Sequence, residues 1–259
     1  LYDFDPGLHA VRDENLTGLD RWILGEFARL EAAVLAAYEA YEFHVVYQKV
    51  SQFAAVELSA LYHDAVKDRL YTDAANSSRR RSTQTALHRM VMQLCQMLSP
   101  ILAFTADEAW EFVPGHPPNA PHVHLAKWTA STLAGSESEQ LVWQRLFEIR
   151  EQVLPSLEKE RQAKTIGKSL DAKVTLTGSS PLLRAGEAHA DALRELLNVS
   201  QLEVQMAPGG AESAIEITVA KAAGQKCERC WHWEVDVGRV AAHPTICGRC
   251  AEAVQAIGG

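Results

Sequence analysis

Two Cys-x-x-Cys pairs close to the end of the chain constrain the fold more than any other feature of the sequence. The first pair is Cys227 and Cys230, the second is Cys247 and Cys250, and residues 231–246 separate them. Each pair can present two thiolates from one tight turn, and the separation lies in the ~15–20-residue range typical of zinc ribbons. Four thiolates complete a tetrahedral Zn²⁺ shell with no open position, so the sequence predicts one structural zinc ion per chain.

Other interpretations of these cysteines are weaker, although one stays open. Both pairs are too local for disulfide stapling, and neither has the βαβ surroundings of a thioredoxin-like redox pair. An iron–sulfur cluster is compatible with the spacing. Gly248, inside the second pair, is expected to adopt a positive φ angle. Cys95 lies on the apolar side of a predicted helix and is expected to be a buried core residue.

The composition is typical of a globular protein. The chain has 259 residues, which suits one large domain or two to three small ones at roughly 100–200 residues each. Its formal net charge of -8 argues against attachment to nucleic acid over the whole surface, but a local basic face is compatible with it. No stretch approaches the ~18 consecutive apolar residues of a membrane span. The start of the chain has neither an initiator Met nor a signal peptide, so we expect a fragment of a longer, cytoplasmic protein.

Apolar residues recur at steps of three and four through the first half of the chain, which is typical of amphipathic helices. One helix is predicted from Leu19 to Val46, a second over residues 50–65 and a third from Leu87 to Leu98. The segment Thr105–Glu108 is an expected capping box at the start of a short fourth helix. Long helices with short connections predict an antiparallel bundle over residues 1–133.

The pattern changes in the second half of the chain. A helix is predicted over residues 142–157, and another around Ala188 to Leu197. Alternation at period two predicts half-buried strands, at residues 174–176, 202–204 and 215–219. The predicted fold class is therefore mainly α: the helical bundle is followed by a small α+β junction domain, residues 134–222, and by a four-cysteine zinc ribbon or knuckle, residues 223–259.

No constellation of residues predicts a catalytic site. Glycine-rich nucleotide loops and the HExxH and GxSxG motifs are missing from the sequence. The segment Lys164–Ser169 superficially suggests phosphate binding, but it has one glycine where a phosphate cradle needs several. The histidines of a proline-rich loop, His116, His122 and His124, are expected to be solvated. We therefore predict no catalytic residue in this chain.

A run of three arginines is the first candidate for RNA contacts. Arg79, Arg80 and Arg81 stand at the predicted start of the third helix, in an otherwise acidic chain. Positive charge is unfavourable at a helix N-terminus, so a phosphate backbone is a plausible source of counter-charge. A solvated helix end is the alternative.

The zinc tail is the second candidate for RNA contacts. Trp231 stands beside Arg229 and His232, and Arg249 lies in the second cysteine pair. Exposed aromatic rings next to cations can stack on unpaired bases. The alternative is that the tryptophans form the core of the small module, and we expect at least one of Trp231 and Trp233 to do so.

Several stretches of the chain together resemble a known family. They occur in the order Leu19–Leu24 (LDRWIL), Tyr38–His44 (YEAYEFH), Lys67–Tyr71 (KDRLY), Arg80–Thr85 (RRSTQT) and Pro100–Trp110 (PILAFTADEAW). This series resembles the anticodon-binding helical domain of the bacterial isoleucyl-tRNA synthetases, which are class I aminoacyl-tRNA synthetases. The tail, with Lys226–His232 and Cys247–Cys250, is similar to the C-terminal zinc-binding segment of the same family.

The resemblance implies a function. The HxGH-type and KMSKS-type signatures, the Rossmann domain and the editing domain of the family are missing, so the chain is expected to be a non-catalytic C-terminal part. The full enzyme, expected to be a monomer, would join isoleucine to tRNA(Ile) with ATP and Mg²⁺. This part would bind the anticodon arm of the tRNA, and no membrane partner is expected.

Three alternatives are compatible with the residues. One is a stand-alone zinc-ribbon protein that binds nucleic acid, for example in repair, although duplex-DNA binding favours a positive domain charge. Another is a bundle that binds only proteins. The equivalent domain of a valyl- or leucyl-type synthetase is the third, but those enzymes usually lack this tail.

Overall fold

A computed structural model describes residues 1–131, 136–207 and 213–258. Helices account for most of these residues, and the strands form two small sheets. The predicted mainly α fold, with a small sheet-containing part and four clustered cysteines, is confirmed. The described helices include none that is long and apolar enough to cross a membrane.

The elements follow one another in this order. The helices are α1 (Pro6–His9), α2 (Gly18–Glu39), α3 (Phe43–Phe53), α4 (Asp64–Thr72), α5 (Ser78–Leu98), α6 (Ala103–Glu111), α7 (Glu137–Gln162), α8 (Pro181–Ala188), α9 (Ala190–Leu197) and α10 (Gly248–Gly258). A π-helix, Ala54–His63, stands between α3 and α4 in the sequence. The strands are β1 (Ala172–Gly178), β2 (Gln201–Met206), β3 (Glu216–Lys221), β4 (Gln225–Lys226) and β5 (Trp233–Glu234).

The chain divides into two compact units. The first unit consists of Leu1–His63 and Ala75–Gly135, and the second consists of Asp64–Ala74 and Ser136–Gly259. The predicted boundary between residues 133 and 134 lies outside the described residues. The division into three domains stays a prediction, and the sequence does not predict that α4 belongs to the second unit.

Helix α2 supplies the apolar face that its sequence predicts, but it ends early. Ile23, Phe27 and Leu30 are buried at the predicted spacing. The prediction of one helix from Leu19 to Val46 is wrong, because α2 ends at Glu39 and Tyr41 turns the chain with a φ angle of 58°. Since the chain restarts as α3 in a new direction, Tyr41 is 80% exposed instead of continuing the buried stripe.

The π-helix changes which residues are buried after α3. Its i→i+5 hydrogen bonds widen each turn, so side chains rotate away from the stripe that a 3.6-residue period predicts. Within the predicted run over residues 50–65, Ala54 is exposed and Leu58 is only half-buried. Ala65, after the π-helix, is buried as predicted, but Phe53 and Tyr62 are buried outside the predicted stripe.

Helix α5 places polar side chains in the core of the first unit. Ser77 caps the helix by accepting a hydrogen bond from the backbone N–H of Arg80 at 3.3 Å. The Thr83 hydroxyl donates to Asp20 Oδ1 at 3.1 Å, and Tyr62 Oη donates to the same oxygen at 2.6 Å. Asp20 has no exposed surface, so these donors compensate for burying its carboxylate.

The predicted capping box of the short fourth helix is wrong. Helix α6 begins at Ala103, so Thr105 lies inside it and does not cap it. Asp107 has a different role, because its Oδ1 accepts the backbone N–H of Val123 at 2.8 Å and its Oδ2 lies 3.0 Å from His122 Nδ1. Thr105 and Glu108, three positions apart, therefore belong to the interior of α6, where Asp107 holds the following loop through Val123 and His122.

The second unit contains a three-stranded sheet covered by helices. Strand β1 is central, parallel to β2 and antiparallel to β3. Helix α7 buries the predicted face, including Leu146, Ile149 and Val153, and carries Pro155 inside it. All three predicted strands are present, and Val174 and Leu176 of β1 are buried as their alternation predicts. The crossover from β1 to β2 holds two helices, α8 and α9, where the sequence predicts only the second.

Candidate metal centre and RNA interface

The first cysteine pair lies in a tight turn between two short strands. Lys226 of β4 pairs with Trp233 of β5, which closes a hairpin around the intervening residues. Inside it, Cys227 N–H donates to the carbonyl of His232 at 2.8 Å, and Trp231 N–H donates to the carbonyl of Cys227 at 2.9 Å. These bonds fold the segment back on itself, so the Cys227 and Cys230 thiols lie on the same side of the turn.

The second cysteine pair begins helix α10. Cys247 N–H donates to Cys227 Sγ at 3.3 Å, which brings this pair against the first. The predicted positive φ angle of Gly248 is wrong. Glycine leaves room there for the Asp236 carboxylate: its N–H donates to Asp236 Oδ2 at 3.0 Å, and a Cβ would lie 2.7 Å from that oxygen and displace it.

The four cysteines fit a tetrahedral metal ion. Their Sγ atoms all lie within 4.8 Å of one another and are buried, and the Cys230 and Cys247 sulfurs are 3.8 Å apart. A tetrahedron with Zn–S bonds of about 2.3 Å has edges of about 3.8 Å, whereas a disulfide needs about 2.05 Å. All four are free thiols, and no other group of this kind occurs in the described parts of the chain.

The electrostatics of the cluster also favour a cation. Burial raises the pKa of the Cys227 thiol, but backbone N–H donors of Cys230 and Cys247 outweigh it and lower the pKa to about 7. The hydrogen bond with Cys247, together with burial, raises the pKa of Cys230 to about 12. Four thiolates at this separation repel one another, so a dication is needed for all of them to ionise.

Arg249, which stands between the second-pair cysteines, makes ion pairs inside the second unit. Its Nη1 lies 2.6 Å from Asp68 Oδ2 and its Nη2 lies 2.9 Å from Asp68 Oδ1, which is a bidentate contact. The same guanidinium donates to Asp73 Oδ1 at 2.9 Å. Burial raises the pKa of Asp68, but the hydrogen bond and charge of Arg249 outweigh it, so that pKa lies below its usual range.

Two further predicted RNA contacts also face α4 or the segment after it. Arg229 donates a hydrogen bond to the carbonyl oxygen of Thr72. His232 is only 9% exposed, and its Nε2 lies 4.0 Å from Asp68 Oδ2. The cations of the zinc module therefore hold α4 within the second unit.

The arginine run at the start of α5 has an internal counter-charge. Arg80 Nη2 lies 3.0 Å from Asp3 Oδ2, and Arg81 donates to the backbone carbonyl of Asp3 at 2.9 Å and to Gln84 Oε1 at 2.8 Å. Burial raises the pKa of Asp3, but the hydrogen bond from Gln84 and the charge of Arg80 outweigh it and lower that pKa. Arg81 is buried, and Arg79 and Arg80 are half-buried. For Arg80 and Arg81, the carboxylate of Asp3 supplies the counter-charge that the sequence suggests a phosphate would provide.

The two tryptophans of the zinc module have different environments. Trp231 is 55% exposed, has a φ angle of 66°, and lies with its ring centroid 5.4 Å from Lys168 Nζ. Trp233 is half-buried, donates from Nε1 to Asp171 Oδ1 at 2.9 Å, and has Lys221 Nζ 4.8 Å from its ring centroid. The expectation that a tryptophan forms the module's core is wrong, because the partly buried hydrophobic residues packed on the cysteines are Val237 and Ile246.

Sequence reasoning misses the residues that surround these tryptophans. Lys168 and Asp171 lie far from the zinc module in the sequence, and Asp171 is 62 positions from Trp233. Lys221 lies just before the module, but no pattern in the sequence associates it with Trp233. The only local signal is the segment Lys164–Ser169, which the sequence singles out for a different chemistry.

Comparison with known proteins identifies the class. Residues 20–176 match a family described as the anticodon-binding domain of tRNA ligase. Residues 224–253 match a zinc finger found in FPG and IleRS. The first match covers more than half of the chain, which therefore belongs to the family of anticodon-binding domains of tRNA ligases. The zinc-finger match and the clustered cysteines support a structural zinc ion.

Isoleucine–tRNA ligases from several bacteria are similar to this chain over nearly its whole length. That of Moorella thermoacetica is 41% identical over 98% of this chain, and that of Sodalis glossinidius is 38% identical over 100% of it. The enzyme of Yersinia enterocolitica is 40% identical, again over 100% of the chain. The chain spans 28% of the length of each relative. The predicted relation to the anticodon-binding part of the isoleucyl-tRNA synthetases is confirmed.

Proposed function

We propose that this chain binds the anticodon arm of tRNA(Ile) as part of a monomeric isoleucine–tRNA ligase that uses ATP and Mg²⁺. The observation that carries the proposal is the anticodon-binding family match over residues 20–176, combined with isoleucine enzymes that align with nearly the whole chain. The described helices include no membrane-spanning candidate, which is compatible with a cytoplasmic enzyme.

We propose that Cys227, Cys230, Cys247 and Cys250 hold one structural Zn²⁺. The ion would neutralise the thiolates and join the β4–β5 hairpin to the start of α10. The four sulfurs fill a tetrahedral shell, so the residues leave no position for substrate. Elemental analysis of the purified chain should find one zinc per molecule, and stoichiometric iron would contradict the assignment.

We further propose that Trp231 is a direct RNA contact. Among the residues predicted to touch RNA, it has the largest exposed aromatic surface. Arg229, His232 and Arg249 would act indirectly, since their side chains hold α4. Contacts from Arg79, Arg80 and Arg81 would come from the outer parts of these side chains, because Asp3 already binds the latter two.

The chain by itself should not form isoleucyl-adenylate. The proposal rests on the sequence, which has no nucleotide-binding signature. Isoleucine-dependent exchange between ATP and pyrophosphate should equal the background of the assay. Exchange above background would require a catalytic site within these residues and would contradict the proposal.

Binding to defined nucleic acids tests the proposed partner. The purified chain should bind a tRNA(Ile) transcript more tightly than a tRNA with another anticodon, and more tightly than duplex DNA. Because the zinc-finger family also occurs in FPG, a stand-alone nucleic-acid-binding function is the second candidate. Preference for duplex DNA would favour that candidate, and no binding to any of the three would remove both.

A further inference from the structure

We propose that Lys168 and Trp231 form one contact site for an unpaired RNA nucleotide, in which Trp231 stacks on the base and Lys168 binds the adjoining phosphate. The observation behind it is the position of the Lys168 ammonium 5.4 Å from the Trp231 ring centroid. The proposal rests on the proposed tRNA binding and specifies which residues of the second unit act together. The sequence alone does not associate these two residues.

The backbone that carries Lys168 is fixed by the second unit. Ile166 is buried and anchors the segment between α7 and β1. Asp171 Oδ2 accepts the backbone N–H groups of Gly167 at 3.1 Å and Lys168 at 2.9 Å. Because these amides are already bonded, the segment does not act as a phosphate cradle, and its contribution to RNA binding is the Lys168 side chain.

Asp171 also connects this segment to the zinc module. While its Oδ2 holds the Lys168 backbone, its Oδ1 accepts the indole N–H of Trp233 at 2.9 Å. Trp233 lies two residues after Trp231 in the same hairpin. One carboxylate therefore sets the distance between the lysine and the exposed ring, and Asp171 is a positioning residue of the site.

The conformation of Trp231 keeps its ring outside the module. A φ angle of 66° is uncommon for a residue other than glycine, so the surrounding structure must hold the backbone there. The hydrogen bond from Trp231 N–H to the Cys227 carbonyl maintains this geometry next to the metal site. An outward ring contributes nothing to the cysteine core, which packs on other residues, so its exposure is available for a ligand.

The exposed lysines of the segments near the two tryptophans favour RNA as the partner. Lys164, Lys168, Lys221 and Lys226 are all exposed. None of them has a carboxylate within 4.0 Å among the residues that the structure describes. Lys168 lies beside the Trp231 ring and Lys221 beside the Trp233 ring. In a chain with a formal net charge of -8, exposed ammonium groups at these positions fit a polyanion, and the exposed Trp231 ring fits an unpaired base.

The cation–π contact also suggests how the nucleotide would bind. A base that stacks on Trp231 can take the ring face that Lys168 now covers, because a cation–π contact at an exposed site is weak. The displaced ammonium then lies close to the phosphate of the same nucleotide. Both contacts therefore form together, which makes the two residues energetically coupled.

The test measures the affinity of the full chain for a tRNA(Ile) transcript at several salt concentrations. Trp231→Ala should weaken binding about 5- to 140-fold and lower the salt slope by less than Lys168→Ala does, because stacking itself releases no counterion. Lys168→Ala should weaken binding and lower the salt slope by about 0.7–0.9, and Lys168→Arg should restore the slope. The double variant should lose less affinity than the product of the two single losses.

Matched variants control for folding and for general charge. Lys173→Ala removes a lysine of β1 that is paired with Glu203 at 2.6 Å, so it should leave both affinity and salt slope unchanged. Trp231→Asn keeps a residue that tolerates positive φ while removing the ring. It should retain the wild-type zinc content and bind RNA as weakly as Trp231→Ala.

The possible results distinguish failure of the Lys168–Trp231 site from failure of the proposed tRNA binding. If the wild-type chain does not bind the transcript, tRNA binding fails and the site fails with it. If the wild type binds but Trp231→Asn and Lys168→Ala bind equally well, only the site is overturned. A transcript whose anticodon loop is closed by base pairing should be bound equally by wild type and Trp231→Asn, and a persistent difference would contradict stacking on an unpaired base.

Discussion

The first unit and the zinc module differ in what stabilises their folded structures. In the first unit, large side chains such as Phe27, Tyr62 and Trp110 are fully buried. In the described part of the zinc module, the larger hydrophobic residues packed against the cysteines are Val237 and Ile246, which are themselves partly exposed. A core of that size does not offset the conformational entropy of about 30 residues. The difference indicates that the metal must supply the folding free energy of the module, while the helices need none.

Arginines form ion pairs with carboxylates of the same chain in both units. Arg80 and Arg81 bind Asp3 in the first unit, and Arg249 binds Asp68 and Asp73 in the second. In an acidic chain, arginine side chains readily form ion pairs with carboxylates of the same protein, and these pairs compete with phosphate binding. A cluster of arginines is therefore weaker evidence for an RNA site here than exposed lysines with no carboxylate within 4.0 Å in the described parts of the chain.

Removing a metal ligand should give the largest difference in stability between the zinc module and the first unit. Cys250→Ser should abolish zinc binding, which is worth about 10–16 kcal/mol in zinc-finger peptides, and should unfold residues 225–258. Helices α2 and α5 should stay folded, because their packing does not involve the metal. Hydrogen exchange measured by mass spectrometry, together with zinc content, reports on both regions at once.

The fifth cysteine provides the control for that variant. Cys95→Ser changes a buried thiol in the core cluster of Trp110 and Val113, so it should destabilise the first unit and leave zinc content at one per chain. If Cys95→Ser lost zinc, or if the amides of residues 225–258 stayed protected from exchange in Cys250→Ser, the zinc module would not depend on the metal in a way that the first unit does not.

Removing the Arg249 side chain should have the next largest effect. Arg249→Ala leaves two carboxylates, and the Asp73 side chain is only 7% exposed. Because Arg249 itself is partly exposed, we expect a loss of about 2–3 kcal/mol, below the full cost of breaking a buried ion pair. Amides of α4 should exchange faster, and unfolding by urea should give the free-energy change.

An exposed ion pair is the comparison for Arg249. Arg161→Ala removes a pair with Glu158 in which both side chains are more than 40% exposed, so stability should change by less than about 0.5 kcal/mol. If Arg249→Ala and Arg161→Ala lowered the free energy of unfolding equally, Arg249 would not hold α4 in place.

A substitution within the polar core of the first unit should have a smaller effect. Tyr62→Phe removes a 2.6 Å hydrogen bond to the fully buried carboxylate of Asp20 and should cost about 1–2 kcal/mol. Tyr38→Phe, which removes a bond to the neutral carbonyl of Met97, should cost less. Zinc content should be the same in both variants, since neither residue belongs to the second unit.

The elements that the sequence predicts are those whose signal is local. The face of α2, the alternation of β1 and the four cysteines each follow from spacing within a short segment. The end of α2 does not, because Tyr41 adopts a positive φ angle where no glycine or asparagine marks a turn.

Contacts between distant segments account for most of what the sequence does not reveal. The Arg249–Asp68 pair joins residues 181 positions apart, and Asp171 meets Trp233 across 62 positions. Charged pairs have no periodicity, so nothing in the sequence selects one carboxylate over another. The lysine–tryptophan site depends on such a contact, and for that reason only the exposed ring could be predicted.

The pH dependence of the first unit should be the smallest effect. Burial lowers the pKa of His88 and the charge of Arg89 lowers it further, although the hydrogen bond with the Pro114 carbonyl opposes this. The folded state then binds the proton less readily than the unfolded chain, whose histidine has a pKa of about 6.5. His88 therefore stabilises the first unit fully above that value, and the contribution is lost as the pH falls through it towards the lower folded-state pKa.

Comparing wild type with His88→Gln isolates this contribution. Glutamine can still donate to the Pro114 carbonyl, which lies 2.7 Å from His88 Nε2, but it does not titrate. Between pH 8 and pH 5.5 the unfolding free energy should fall more steeply for wild type, and the difference cancels any release of zinc that both proteins share. Asp3 does not contribute in this range, because its lowered pKa makes it lose stability only below about 3.8. Parallel curves for the two proteins would mean that His88 protonates equally easily in the folded and unfolded states.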